Sequence, residues 1–162
     1  MPFELRTSFA PDRLELDPDL IIPRRDAVYQ EDLLEAARLG RVDSLTAEGR
    51  RAEEGKQYQL AVDLYSRASG LSSGDMLPLY RIGRIYGALG DASRALESHL
   101  RALDARARHQ ELRAWNRVRI GQMMDLLGRR REAKRAYRAA LAEQDYAGAH
   151  AEALDGLRRR RP

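Results

Sequence analysis

The chain has 162 residues and a formal net charge of +4, a length suited to one domain of ordinary size. Hydrophobic residues make up 43% and charged residues 33%, so the chain can bury a core and stay soluble. The absence of cysteine excludes disulfides, thiolate catalysis and cysteine-ligated zinc. No apolar run approaches the roughly 18 residues of a membrane span, and the N-terminus is unlike a signal peptide, so we expect a cytoplasmic protein.

Charge is unevenly distributed along the chain. Residues 1–45 contain ten acids and six bases, whereas residues 46–162 contain fifteen acids and twenty-three bases. Nearly all of the bases are arginine, since the only lysines are Lys56 and Lys134. The codon usage of a GC-rich bacterial genome is one explanation of this excess. A functional basic surface is the other, because the guanidinium group binds carboxylates and phosphates through paired hydrogen bonds.

The first 25 residues are predicted to form an extended arm. Prolines at positions 2, 11, 18 and 23 come too often for a helix. Acidic residues alternate with leucines and isoleucines between Asp12 and Ile22. From residue 26 the apolar spacing changes and predicts an N-terminal helix over residues 26–41, closed by Gly40.

After this helix the sequence repeats itself. Three segments superimpose: LTAEGRRAEEGKQYQLAVDLYSRASGL from Leu45, LYRIGRIYGALGDASRALESHLRALDA from Leu79 and RVRIGQMMDLLGRRREAKRAYRAALAE from Arg117. Each has a glycine midway along a first helix and two alanines seven residues apart in a second helix, with a large ring between the alanines. The anchors are Gly49, Gly83 and Gly121; Ala61, Ala95 and Ala133; Ala68, Ala102 and Ala140; and Tyr65, His99 and Tyr137.

Small residues at matched intervals predict pairs of antiparallel helices that pack closely where their axes cross. The large ring of the second helix fills the space between neighbouring pairs. Because one pair cannot bury its apolar face alone, several pairs must stack. Gly90 and Gly128 follow predicted helix ends, as a C-terminal cap requires. The sequence therefore predicts an all-α fold.

This pattern resembles the tetratricopeptide-repeat (TPR) family, which is built from 34-residue helix–turn–helix units. The spacing from Ala61 to Ala95 is 34 residues, and four extra residues near Arg106–Gln110 lengthen the next spacing. The resemblance places repeats at residues 44–70, 76–106 and 112–143. It implies a capping helix over residues 146–161. The last apolar face of the repeat array would be covered by Ala149, Ala153, Leu154 and Leu157 of this helix.

The match to the family is uneven between the repeats. The second repeat fits best, whereas the turn glycine of the first, Gly55, is displaced by one residue. The third repeat has Arg117 where a large apolar residue is usual and Met124 where a tyrosine is usual.

Members of this family form a right-handed superhelix, and its first helices line a concave groove that holds an extended peptide or a partner helix. The resemblance therefore implies a protein-interaction scaffold or adaptor, with no cofactor. The positions turned away from the packing stripe would face the groove. They are Arg50, Tyr80, Arg81, Arg84, Trp115, Arg119 and Gln122.

Guanidinium groups favour an acidic guest, and the aromatic rings favour an apolar side chain. Ordinary solvated arginines are the alternative interpretation of these positions. Family members that bind chaperone tails clamp a terminal carboxylate with lysines and asparagines at set positions. Those positions here hold Thr46, Arg50, Arg81, Trp115 and Arg119, so the resemblance does not imply chaperone binding.

The acidic arm has the composition that an arginine-lined groove would accept. It could act as a latch in the groove of its own chain or as an assembly contact with a second copy, which would make the protein a homo-oligomer. A terminus that is disordered, or that packs as a cover over the edge of a helix, is the alternative.

Two other functions have weaker support. The three histidines, His99, His109 and His150, lack metal-ligand spacing, and no nucleophile–base set or phosphate loop is evident, so we expect no enzyme and no metal site. The basic runs Arg129–Arg131 and Arg158–Arg161 would attract nucleic-acid phosphates. Because no aromatic residues are interleaved with them for base stacking, nucleic-acid binding is the less favoured function.

Overall fold

A computed structural model describes the backbone of residues 27–159 and the side chains of residues 31–159. This part of the chain contains seven α-helices and no strand, which confirms the all-α prediction. The helices are α1 Ala27–Glu54, α2 Tyr58–Leu71, α3 Met76–Ala88, α4 Ala92–Asp104, α5 Arg113–Leu126, α6 Arg130–Leu141 and α7 Ala149–Arg158. A single 3₁₀ turn, Gln110–Leu112, precedes α5. None of these helices is long and apolar enough to cross a bilayer.

The chain divides into two compact units, residues 1–35 and residues 36–162. Of the first unit, only the start of α1 is described. The predicted arm over residues 1–25 lies outside the described residues, so its role as a latch or assembly contact stays a prediction. Within the second unit, successive helices from α2 to α7 pack on one another in chain order.

The predicted end of a helix at Gly40 is wrong, because α1 continues from Ala27 to Glu54 without a break. Gly40 is exposed and no atom lies within 4 Å of the place a Cβ would take. A glycine in an exposed helix interior weakens the helix by only about 1 kcal/mol relative to alanine. Its neighbours Leu39 and Arg41 favour helix, so the glycine is tolerated and does not act as a cap.

Rings packed on glycine backbone join the two helices of each repeat. A Cβ on Gly49 would lie 2.7 Å from the ring of Tyr65, and a Cβ on Gly121 would lie 2.5 Å from the ring of Tyr137. Both tyrosines are almost fully buried, at 0% and 1% exposure. The hydroxyl of Tyr65 donates to a carboxylate one turn beyond the glycine, and so does that of Tyr137. The acceptors are Glu53 and Asp125, each at 3.0 Å.

The second repeat replaces the tyrosine with His99, whose ring covers Gly83. Its Nδ1 lies 2.7 Å from the amide oxygen of Asn116, and the amide nitrogen of Asn116 donates to the His99 carbonyl at 2.8 Å. Asn116 belongs to α5, so this ring binds the next repeat. The position four residues after Gly83, which holds a carboxylate in the other two repeats, is occupied by Gly87.

The turn between the two helices of each repeat contains one residue in the left-handed backbone conformation. Gly90 and Gly128 have φ angles of 81° and 74°, as predicted for residues just past a helix end. In the first repeat Lys56 takes this conformation, with φ 58°. The displaced Gly55 therefore leaves a lysine in a backbone conformation that costs roughly 1 kcal/mol for a residue with a Cβ.

The four-residue insertion between the second and third repeats folds back on the start of α3. Backbone amides of Ala107 and Arg108 donate to the Gly74 carbonyl at 2.9 and 3.1 Å. The carboxylate of Asp75, which is 1% exposed, caps α3 at Leu77 and accepts from His109 Nδ1 at 2.7 Å. The insertion is therefore an ordered connection.

The capping helix is α7, Ala149–Arg158, which is shorter than the predicted range of residues 146–161. Ala149 and Ala153 are fully buried as predicted, but Leu154 is 41% exposed. Gly156 takes part in the cap instead, because its backbone packs so closely on Tyr137 that a Cβ would lie 2.5 Å from the ring. The turns of the helix place residue 156, and not 154, toward α6.

The contact of Tyr137 with glycine predicts opposite effects for two Gly→Ala substitutions. Gly121→Ala puts a methyl group into the ring and should destabilise the fold by about 1–3 kcal/mol. Gly40→Ala meets open space in a helix and should stabilise it by about 0.5–1 kcal/mol. Urea unfolding followed by circular dichroism measures both. Equal effects of the two substitutions would contradict the packing described here.

The pKa of His99 is lowered to about 4, mainly by burial and in smaller part by the positive charges of Arg119 and Arg84, while the Asn116 hydrogen bond opposes the shift. The folded pKa lies below the ordinary 6.5, so the unfolded chain binds more protons between pH 6.5 and 4. The free energy of unfolding should therefore decrease as the pH is lowered from 6.5 to 4, by about 3 kcal/mol in total.

Urea unfolding at closely spaced pH values measures this loss. The control is His99→Gln, which cannot take up the proton and should flatten the dependence between pH 6.5 and 5. Parallel curves for the wild type and the variant over that range would show that His99 is not the responsible group.

Candidate functional site

Arg50 of α1 and the two arginines of α3 lie around one surface depression of about 440 Å³, which we call the arginine depression. It is lined by Arg50, Glu53, Glu54, Tyr58, Arg81, Arg84, Ile85 and Ala88. An adjoining depression of about 240 Å³ shares Arg50 and Arg81 and adds Thr46, Asp75 and His109 among its lining residues. Three of the predicted groove residues are therefore brought together here.

The three arginines differ in their pairing. Arg50 Nε lies 3.9 Å from Glu54 one turn along α1, and both side chains are mostly exposed. Arg81 Nη1 lies 3.5 Å from Glu53 Oε2. Arg84 is exposed and makes no ion pair or side-chain hydrogen bond within the described range 31–159.

The sequence explains why Arg84 is unpaired. Arg50 follows Gly49 and pairs with an acid four residues on, whereas the corresponding residue after Arg84 is Ala88. The other possible acid, one turn beyond Gly83, is also missing, since that position holds Gly87. The second repeat therefore presents a guanidinium without a counter-charge on its own helix.

Glu53 was not recognised as a residue of the groove from the sequence. It accepts from the Tyr65 hydroxyl at 3.0 Å and faces Arg81, with 18% of its side chain exposed. Burial raises the pKa of Tyr65, and the charge and hydrogen bond of Glu53 raise it further, so this hydroxyl stays a donor. The signal was present in the sequence, because Glu53 and Asp125 both follow the repeat glycine by four residues.

The predicted residues of α5 form a second group, which we call the α5 cluster: Trp115, Arg119 and Gln122. The Arg119 guanidinium lies over the Trp115 ring at 5.5 Å and donates to Gln122 at 2.9 Å. Gln122 in turn donates to Glu152 of α7 at 2.9 Å. The Nε atom of Arg119 is buried and has no hydrogen-bond partner among the described residues. The cluster is thus held in place by α7.

Tyr80 does not face a groove, and its prediction as a contact residue is wrong. It is 8% exposed and its ring packs edge-on against His99, with centroids 5.6 Å apart. Because His99 is smaller than the tyrosine of the other repeats, the space beside it is filled by the neighbouring ring of α3.

The insertion contributes residues that sequence reasoning did not assign to the groove. Arg108 donates to Asp43 of α1 at 2.7 Å, and His109 lines the 240 Å³ depression beside Asp75. The hydroxyl of Thr46, in the same depression, is buried without a partner among the described residues. Acids and bases therefore alternate at this end, which makes the region less uniformly basic than the sequence suggested.

Solved structures of TPR domains superimpose on this chain. The first TPR of Spaghetti (RPAP3), bound to the HSP90 peptide SRMEEVD, matches with TM-score 0.62 and 19% identity over 74% of this chain and 89% of that one. The N-terminal domain of stress-induced protein-1 from C. elegans gives 0.65 and 15% over 74% and 97%. The second TPR domain of human RPAP3, in complex with the HSP70 peptide SGPTIEEVD, gives 0.63 and 17% over 75% and 99%.

No protein-family model matches the chain, and a search of curated proteins finds no match. The structural likeness, at these identities, concerns the fold. Together with the three glycine-anchored helix pairs, it shows that the protein has the tetratricopeptide-repeat fold.

The double role of Glu53 predicts a difference between two substitutions. Glu53→Ala leaves the buried Tyr65 hydroxyl without an acceptor and should destabilise the fold by about 1–3 kcal/mol. Glu53→Gln keeps an acceptor oxygen and should cost about 1 kcal/mol or less, because the lost ion pair with Arg81 is partly exposed. Thermal unfolding compares the two. If Glu53→Gln were as damaging as Glu53→Ala, the ion pair and not the hydrogen bond would be the main contribution.

Proposed function

We propose that this protein is an interaction module that binds an acidic, extended segment of another polypeptide across the arginine depression and the α5 cluster. The observation that carries the proposal is Arg84, an exposed guanidinium without a partner among the described residues, which lines the arginine depression together with Arg50 and Arg81. Its planar fork suits a carboxylate of the guest through two hydrogen bonds.

The neighbouring arginines support the same guest. The ion pair of Arg81 with Glu53 is long, at 3.5 Å, and about a quarter of the Arg81 side chain is exposed. Partly exposed ion pairs contribute only about 0–1 kcal/mol, so Arg81 can turn toward a guest carboxylate at small cost. Arg50 is still more exposed and its pair is longer.

Trp115 supports a guest with an apolar side chain among its acids. Its half-buried ring packs against the core clusters, and the Arg119 guanidinium lies 5.5 Å from its centroid. A fixed aromatic surface binds an aliphatic or aromatic side chain without loss of its own conformational freedom.

Two solved relatives in fold carry acidic peptides, SRMEEVD and SGPTIEEVD. They show that the fold can hold such a guest. The positions at which such family members carry lysines and asparagines hold other residues here, so we do not assign a chaperone tail as the guest. They are Thr46, Arg50, Arg81, Trp115 and Arg119. A role as scaffold or adaptor, and the lack of catalysis, stay predictions from the sequence.

Peptide arrays test the proposal. Wild-type protein should retain peptides with paired Asp or Glu residues next to an apolar residue, in preference to the matching Asn/Gln and Lys peptides. Arg81→Glu/Arg84→Glu should weaken the best peptide by roughly 30-fold or more, because two charge-assisted contacts are lost. Binding should also weaken as the salt concentration rises.

The matched control is Arg67→Glu/Arg101→Glu, which makes the same change in net charge on the exposed faces of α2 and α4. It should bind the peptide like the wild type. A similar loss in both double variants would mean that only net charge matters, and full binding by Arg81→Glu/Arg84→Glu would move the peptide site elsewhere.

A further inference from the structure

The outward face of α6 carries a stripe of cations. Arg131, Arg135 and Arg138 follow one another at intervals of four and three residues, so they share one face of the helix, and all three are exposed. Lys134 flanks them. The opposite face is fixed in the core by Ala133, Tyr137 and Ala140, so the stripe is held on a rigid helix.

The stripe differs from the arginines beside it in making no ion pair, since Glu132, the acid of α6, pairs with Arg129. Arg129 pairs with Glu132 at 2.7 Å, and Arg130 pairs with Asp125 at 2.8 Å. By contrast, the three arginines of the stripe make no ion pair with any residue in the described range. The outward faces of α2 and α4 do not share this excess, because acids such as Asp63 and Glu97 accompany Arg67 and Arg101 there.

Two exposed leucines precede this helix in the chain. Leu126 is the last residue of α5, Leu127 follows it, and they are 69% and 38% exposed. Large apolar side chains in contact with water gain free energy wherever they find an apolar environment. A basic face beside exposed leucines is the composition of surfaces that rest in the headgroup region of a lipid bilayer.

We infer that the α6 stripe, together with Leu126 and Leu127, is a binding surface for an anionic lipid bilayer. The arginines bind lipid phosphates, and the leucines enter the boundary between headgroups and acyl chains. A nucleic-acid backbone would engage the same arginines, but it offers no apolar environment to the leucines. From Arg131 to Arg138 the helix rises about 10 Å, so the contact is peripheral and reversible.

Sedimentation with vesicles tests this surface in the full chain. Vesicles of 30% phosphatidylglycerol and 70% phosphatidylcholine should bind the wild type, and pure phosphatidylcholine vesicles should not. Arg131→Glu/Arg135→Glu/Arg138→Glu should lower partitioning by roughly 100-fold or more, because each cation at an anionic surface contributes about fivefold. The matched control, Arg51→Glu/Arg67→Glu/Arg101→Glu, changes three other exposed arginines, has the same net charge and should bind vesicles like the wild type.

The leucines separate lipid from nucleic acid. Leu126→Ser/Leu127→Ser should reduce vesicle binding by at least tenfold, whereas Leu89→Ser, at the equivalent turn of the second repeat, should leave it unchanged. Circular dichroism confirms that each variant is folded. Equal binding of both triple arginine variants would overturn the inference. The inference would also be overturned if the protein bound a 20-base-pair duplex more tightly than anionic vesicles and the leucine substitutions had no effect. That result would assign the stripe to nucleic acid.

Discussion

The close approach of a ring to bare glycine backbone is the constraint on which the rest of the structure depends. Where Tyr65 lies on Gly49 and Tyr137 lies on Gly121, a Cβ would come within 2.7 Å of the ring or closer. Two helices can meet at this separation only if the first presents no side chain there. Each repeat is therefore anchored at one point, and that point fixes which residues of the first helix turn away from the core.

The same contact connects the core to the charges of the groove. A tyrosine that packs on the repeat glycine brings its hydroxyl to the residue one turn further along, where it requires an acceptor. The first and third repeats provide Glu53 and Asp125. In the first repeat this acid also faces Arg81. In the second repeat a histidine needs no such acceptor, Gly87 takes the place of the acid, and the neighbouring Arg84 is left unpaired.

The spacing of small residues and rings was sufficient to predict the repeats, because two helices can cross closely only where a small residue stands opposite a ring. Predictions that depended on a single residue fared less well. Gly40 looked like a helix end, yet an exposed glycine costs too little to stop a helix flanked by Leu39 and Arg41. Tyr80 looked outward, but the small ring of His99 left space that Tyr80 fills. Helical spacing gives the direction of a side chain, and the size of its neighbours decides its burial.

Codon usage in a GC-rich genome would scatter arginines over the surface without regard to their neighbours. Some arginines of this chain fit that expectation, such as Arg67 and Arg101, which stand on faces that also carry acids. The α6 stripe does not fit it as well. Arg129 and Arg130 are adjacent in sequence to the stripe and both have carboxylate partners, whereas the next three arginines share one outward face without any. Codon usage could explain the number of arginines but not their placement on a single rigid face, which is what an anionic surface would select.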